Sequence, residues 1–366
     1  MTTIGVFGPA GDAEVQAVAR RLRHRGVTVW VVDLSSFPSQ ATLSLSGSQV
    51  TFQGRNLGEI DAAYLRRVGA ALPEVWQYDG PMRRSGRDAW PALRPASLSA
   101  LRLEQRAYAL RVAALRWLAQ RRPVINPPVE QNLHRLKLSM MARLSRAGLP
   151  VPPFVGGSAR GALIDWVKEL RRRGQEAVTK PPAGVYKTLL ADDERLEAHP
   201  WPLRPAFLQR YVPGDTVRCF VIRGRLLSAA RIIHGGTVDS SMSQTGIAVT
   251  SLDEGGRHVA EGTARALDLD FCGLDLMIDG SGEPWVIDCN LSPMFVNYGR
   301  LSRCDVAGAL ADRLIERARG EGSVESNQAL QLLGIVKDLL ADDPGLASDW
   351  LPRRKKDTHQ RRKNTR

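Results

Sequence analysis

The stretch EPWVIDCN, residues 283–290, is where the reading of this chain starts. It has the length and apolar content of a strand, and alternate side chains of a strand share a face. Asp288 and Asn290 therefore point together while Cys289 points away. Just upstream, GLDLM (273–277) reads as a second strand and supplies Asp275. Three oxygen ligands on adjacent strands suit Mg²⁺, a hard ion held by a few carboxylates together with substrate phosphates. The plainer alternative is a strand-end Asp followed by an Asn that opens a turn into Ser292 and Pro293.

Around these two strands the pattern is strand-rich from residue 205 onward. AFLQRYV, TVRCFVI, RLLSAARII, GLDLMID and EPWVIDC are broken by one helix at 256–268. Short turns, one of them at Arg223-Gly224, predict an antiparallel sheet. Residues 305–318 follow as a helix. Working towards the N-terminus, EAVTKPP reads as a strand ending at Lys180, and 162–173 and 132–147 as amphipathic helices. The second of these stops at Gly148 with prolines just beyond. IGVFG (4–8), a helix over 13–24 and VTVWVVD (27–33) open the chain as strand–helix–strand, which predicts a small lobe with a parallel sheet. A hairpin turning at Ser46-Gly47 and the strand AAYLRRV come next. Residues 75–100, rich in Pro, Arg and Trp, read as loop, and 101–120 as a helix.

Composition sets the outer bounds. The 366 residues are 43% hydrophobic and 24% charged, as in globular proteins of more than one lobe. The net charge of +13 sits largely in residues 353–366, RRKKDTHQRRKNTR, which alone carry +7. A basic body built to coat nucleic acid does not follow from it. The tail has no Phe, Tyr or Trp between its cations, so it lacks the stacking groups of single-strand readers. Solvation, an acidic partner and non-specific nucleic acid remain its three readings. The segment 326–341 has apolar residues at helical spacing, suited to docking on the core or on a second subunit. The start MTTIGVFGPAGDAEV has no basic stretch before an apolar one, so no signal peptide is expected. No stretch approaches the length of a spanning helix, and no membrane association is expected. Cys219, Cys272, Cys289 and Cys304 lack CxxC spacing, which fits a reducing cytoplasm. Arg outnumbers Lys 43 to 8, so each internal Lys (Lys137, Lys168, Lys180, Lys187, Lys337) marks a place where a compact ammonium is wanted.

Three longer pieces carry a resemblance: INPPVEQNLHRLKLSMMARLSRAGLPVP (125–152), FLQRYVPGDTVRCFVI (207–222) and LDLDFCGLDLMIDGSGEPWVIDCNLSP (267–293). Taken in series, the chain resembles the ATP-grasp ligases, in particular their RimK-type, glutathione-synthetase-like branch, over about residues 4–318. The resemblance implies a fold of α/β and α+β parts: an N-terminal parallel-sheet α/β lobe and two α+β lobes clasping nucleotide. It divides the chain into a pre-ATP-grasp lobe (1–125), an ATP-grasp N-lobe (126–205), a C-lobe with the metal site (206–320), and a C-terminal helix and basic tail (321–366).

Carried over residue by residue, Lys137 matches the lysine that contacts phosphate. Lys180 matches the buried-strand lysine that neutralises the α and β phosphates as a point charge. Lys187 stands in the phosphate loop, and Gln209, Arg210, Tyr211 and Val212 match the linker whose backbone pairs with adenine. Asp215 stands one place before the acidic position of the family. Arg218 and Arg231 match the cations that hold the transferred phosphoryl group or a substrate carboxylate. Asp275, Asp288 and Asn290 match the set that holds Mg²⁺, or Mn²⁺ in its place. The implied chemistry is ADP-forming ligation, in which a carboxylate takes the γ-phosphoryl group of ATP and an amine or other nucleophile then displaces phosphate. It needs positioning and charge neutralisation more than covalent enzyme groups.

Three departures accompany the match. Asp288 replaces the usual Glu, the loop PPAGVYKTLL has only Gly184, and Thr216 takes the acidic position. They support the alternative of a nucleotide-binding regulatory or partner-binding module that keeps the fold. FPSQATLSL, IDAAYLRR and WLAQRRPVINPP are also similar to the ATP-grasp maturases of microviridin-type peptides, although the Asp-Trp-Arg signature of those enzymes reads Asp239-Ser240-Ser241 here. That similarity implies an acidic peptide as substrate, beside the carboxylate-bearing small molecule that the broader ligase resemblance allows, with Arg66 and Arg67 either contacting the peptide or lying on a solvated strand edge.

Overall fold

The computed structural model describes residues 1–67, 95–128, 136–180, 188–199, 201, 205–235 and 244–320, with the backbone alone at 95–101. The chain opens with β1 (Thr3–Phe7), α1 (Ala13–His24) and β2 (Thr28–Val32), then a three-stranded meander of β3 (Leu43–Leu45), β4 (Val50–Phe52) and β5 (Arg55–Asn56). β6 (Ala62–Leu65), α2 (Pro95–Ala119) and β7 (Val124–Ile125) complete a parallel sheet in the order β2-β1-β6-β7. Parallel strands need both faces covered. Ala114, Leu115 and Leu118 of α2 cover one face, and Val15, Val18 and Leu22 of α1 the other.

Next come α3 (Lys137–Arg146), β8 (Phe154–Gly157), α4 (Arg160–Arg172), β9 (Ala177–Lys180), β10 (Leu189–Leu190), α5 (Asp193–Ala198) and β11 (Ala206–Arg210). Their strands form an antiparallel sheet in the order β10-β9-β11-β8, backed by Leu163, Val167 and Leu170 of α4. The last part is β12 (Gly214–Ile222), β13 (Arg225–His234), β14 (Gln244–Thr250), α6 (Glu254–Ala266), β15 (Phe271–Asp279), β16 (Pro284–Asn290), α7 (Val296–Ser302) and α8 (Val306–Ala318). Its five strands are antiparallel in the order β14-β13-β12-β15-β16.

This five-stranded sheet is buried on both faces. Val217, Cys219, Leu274 and Leu276 pack against Met140 and Met141 of α3 and Val259 of α6. On the opposite face Phe220 and Phe271 meet Tyr64 of β6, Tyr298 of α7 and Leu310 of α8. Burial on both sides is why TVRCFVI reads as a near-continuous apolar run, and why its single Arg stands out.

Several elements depart from the sequence reading. Where it is described, α2 runs from Pro95, inside the stretch read as loop. The helix expected over 132–147 spans Lys137–Arg146 where it is described. Strand β14 and helix α7 have no counterpart in the sequence pattern: one has a glycine among few large apolar residues, the other has Gly299 at its middle. The remainder of the 75–100 stretch, Lys187, the Asp239–Ser241 signature, the 326–341 segment and the basic tail lie outside the described residues. Among the described residues no helix is long and apolar enough to cross a membrane.

Candidate active site

The site is organised by the pairing of β15 with β16. Asp275 stands directly opposite Asp288, and Gly273 opposite Asn290. Directly opposed residues share a face, so the two carboxylates and the amide line one side of the sheet. The register then slips between Asp275 and Leu276, leaving Ile287 as an extra residue. Such a bulge changes which side chains face the core. Here it lets Val286 and Cys289, three residues apart, both enter the core while Asp288 stays out.

The bulge also turns the Ile287 carbonyl to a partner outside the sheet. Lys180, at the end of β9 and 9% exposed, donates to that carbonyl at 3.0 Å and to Gln209 Oε1 at 2.8 Å. Gln209 is itself buried on β11, its amide against Met141 Sδ at 3.8 Å. Lys137 opens α3 and donates to Asp288 Oδ2 at 2.9 Å. Two ammonium groups from separate elements thus converge on one strand. Burial works to raise the Asp288 carboxyl, but the charges of Lys137 and Lys180, with hydrogen bonds from Lys137 and the Cys289 N–H, outweigh it and hold the group below the usual carboxylate range. Asp288 keeps 38% of its side chain open to solvent.

Arg218 of β12 sits opposite Asp275 and grips it with two hydrogen bonds, Nε to Oδ1 and Nη2 to Oδ2, the latter at 2.9 Å. The neighbouring carboxylate raises the guanidinium further above its ordinary value. Asn290 is exposed, and its Oδ1 accepts from the Ser292 N–H at 2.9 Å, the turn that the plainer reading anticipates. Asp275, Asp288 and Asn290 offer only oxygen donors on one face, a set chemically suited to a hard divalent cation.

The structure does not bring Arg231 to this cluster. Arg231 is opposite Val217, one residue from Arg218, and so belongs to the other face of the sheet. There it is half exposed and meets Asp215 at 3.3 Å. Gln209 and Arg210 belong to β11 and are paired with β8 and β9, their backbone used within the sheet. The Arg210 guanidinium lies 4.5 Å over the Trp285 ring. Beyond the strand, the Tyr211 N–H donates to Glu176 O at 2.8 Å and Val212 is buried.

Two residues hold the site from outside and escaped assignment from the sequence. Asn126 is wholly buried. Its amide donates to the carbonyls of Phe271 and Leu291, at 2.6 and 2.8 Å, and its oxygen accepts from Asp270 and Phe271 N–H groups. It thereby ties the start of β15 to the end of β16, and a polar residue between VI and PP was the available signal. Arg66 corrects the reading of a peptide contact or solvated edge. It is 5% exposed and bonded to Asp12, Glu14 and Ser292. Arg67 is the exposed member of the pair.

Residues 205–314 match the profile of the RimK-like ATP-grasp domain. Among curated proteins, human beta-citrylglutamate synthase B is 32% identical over 128 residues, covering 34% of this chain and 32% of that protein. A probable alpha-L-glutamate ligase of Shewanella loihica is 26% identical over 207 residues, covering 53% of this chain and 68% of that protein. The chain thus spans about a third of the length of the first relative. The solved structure of the ATP-grasp ligase PsnB, complexed with minimal precursor, Mg and ADP, is similar over 86% of this chain and 98% of that one, with 26% identity and a TM-score of 0.67. The macrocyclase MdnC of Microcystis aeruginosa, bound with precursor peptide MdnA, shares the fold at 14% identity, with a TM-score of 0.66 over 86% of this chain and all of that one.

Proposed function

We propose, from the RimK-like ATP-grasp domain that this chain carries at residues 205–314, that the protein is an ATP-dependent, ADP-forming carboxylate ligase. The observation that carries the reading is the convergence of Lys137 and Lys180 on β16 beside the facing Asp275–Asp288 pair. Lys180 and Lys137 neutralise the phosphates of ATP, with Lys187 as a third cation from the phosphate loop. Residues Gln209–Val212 border the adenine. Asp275, Asp288 and Asn290 would hold Mg²⁺, or Mn²⁺ in its place, which would supply positive charge to shield the transferred phosphoryl group. Arg218 steadies Asp275 and stands where an incoming anion meets a guanidinium on the same face. Arg231 and Asp215, on the other face, have no part in this transfer.

The substrate carboxylate attacks the γ-phosphorus, ADP leaves, and an acylphosphate results. An amine or hydroxyl then attacks the acyl carbon and releases phosphate, leaving an amide or ester. Enzymes of this kind succeed by positioning and by excluding water from the acylphosphate. Peptide is the favoured substrate class, because PsnB, similar over nearly its whole length, is also complexed with precursor peptide PsnA2. Four free thiols, three of them buried, suit a reducing cytoplasm.

Calorimetric titration of ATP with Mg²⁺, in moderate salt to quiet the basic tail, tests the reading. Wild type is expected to bind in the micromolar range only when Mg²⁺ is present. Lys180→Met, which keeps the buried stem, is expected to lose that binding. No binding by the wild type would overturn the assignment. Asp288→Asn is expected to stay folded and abolish turnover, and unchanged ADP release in that variant would remove Asp288 from the mechanism.

A further inference from the structure

Away from β15 and β16, helix α1 and the α7–α8 corner enclose an open cleft of about 400 Å³. Arg20, Arg21 and His24 of α1 line it together with Arg300 and Arg303 of the corner, and Asp305 is its acidic member. Arg21 is engaged by Asp305 at 3.0 Å. Arg300 donates to the neutral Asn297 Oδ1 at 3.2 Å and has no ion-pair partner among the described residues. Arg20 and Arg303 have no carboxylate partner among the described residues. Arg303 also adopts a left-handed backbone, φ 55°, at the end of α7, where glycine is the easy residue. Between the two walls the half-buried Ala17 and Val296 offer some apolar surface.

We propose that this cleft docks an acidic stretch of a polypeptide, one in which acidic and apolar side chains alternate. Three arginines without acid partners among the described residues, on two walls with some apolar surface between them, present forks that match carboxylates. Each is solvent-exposed, so one contact with a single compact anion in water contributes little. A chain carrying several carboxylates engages both walls at once and adds the contacts within one binding event. Its apolar side chains find Ala17 and Val296, which a free phosphate would leave uncovered. The chain runs from Asn290 to the start of α7 at Val296 within six residues, so a polypeptide held here is held by the segment that follows β16. That this polypeptide is the ligase substrate rests on the proposed function. The chemistry of the cleft does not.

The test is fluorescence anisotropy of a fluorescein-labelled short peptide alternating glutamate and leucine, titrated with the full-length protein. The probe is expected to bind, more weakly as salt rises, and about tenfold or more weakly in Arg20→Glu/Arg303→Glu. The milder pair Arg20→Gln/Arg303→Gln should show the same direction and guards against misfolding. Affinity equal in wild type and both variants would assign the probe to the basic tail or another surface and overturn the proposal. Displacement by millimolar inorganic phosphate as effective as by unlabelled peptide would mean a small-anion site, which also overturns it. ATP titration of the same variants should match wild type. Absent ATP binding in wild type would defeat the ligase reading while leaving the peptide result to stand or fall separately.

Discussion

Asp12 caps α1 by accepting from the Glu14 and Val15 N–H groups, at 3.0 and 3.1 Å, and also pairs with Arg66 at 3.3 Å. Burial pushes its carboxyl up, but the Arg66 charge and the Val15 N–H prevail and hold it below its ordinary value. A carboxyl depressed by folding contributes stability that is fully present above the unfolded value, about 3.9, and is lost as pH falls through the lower folded value. Asp12→Asn keeps a capping oxygen and removes the charge. It is expected to cost about 1–3 kcal/mol at neutral pH, with the difference from wild type closing below about pH 4. Urea unfolding at stepped pH measures both. A gap that stays constant down to strongly acid solution would show that the charge of Asp12 is not what stabilises.

At the scale of elements, β12 decides how the connection from β11 enters the five-stranded sheet. Gly214 begins β12 opposite Asp279, and a Cβ there would lie 2.1 Å from the Ile278 carbonyl oxygen. Backbone cannot yield as a flexible side chain can, so Gly214→Ala must spread β12 from β15. The expected cost is about 1–3 kcal/mol, read as a lower urea midpoint. Weaker ATP binding should accompany it, since only Pro213 separates Gly214 from Gln209–Val212. A variant as stable as wild type would mean the strand ends are slack. The bulge at Ile287 is the other decision of this scale. A regular β16 would put Val286 and Asp288 on one face, whereas the observed burial of Val286 and Cys289 requires the extra residue.

For the whole molecule, Arg66 is the joint. It extends from the end of β6, receives Asp12 and Glu14 from the start of α1, and bonds Ser292 in the turn after Asn290, with Ser292 Oγ donating back to Arg66 O at 2.6 Å. The parallel-sheet lobe is thus fixed to the strand end that carries Asp288 and Asn290. Arg66→Met fills similar space and strands two acidic groups at low exposure. Removing one partner of a buried ion cluster costs about 3–5 kcal/mol, a marked fall in thermal midpoint. Recovery by Arg66→Met/Glu14→Gln would identify the unpaired charge as the cause, and an unshifted midpoint in the single variant would rule out Arg66 as the joint.

Sequence by itself determined the strand–helix–strand opening, the antiparallel run from residue 205, and the shared face of Asp288 and Asn290. Each depends on local periodicity, on side chains one, two or four residues apart. The scarcity of lysine in an arginine-rich chain marked five internal lysines, and the family resemblance picked out Lys137 and Lys180 among them. Tertiary structure alone decided the rest. Arg66 and Ser292 are 226 residues apart, and nothing in LRR marks one arginine for burial and the other for water. Arg231 and Arg218 look equivalent until strand register puts them on opposite faces. Asn126 becomes structural only when two strand ends, about 145 and 165 residues away, bring their backbone groups to it. Long-range pairing chooses which of several similar polar residues is desolvated, and a burial that expensive is settled by the partners that arrive.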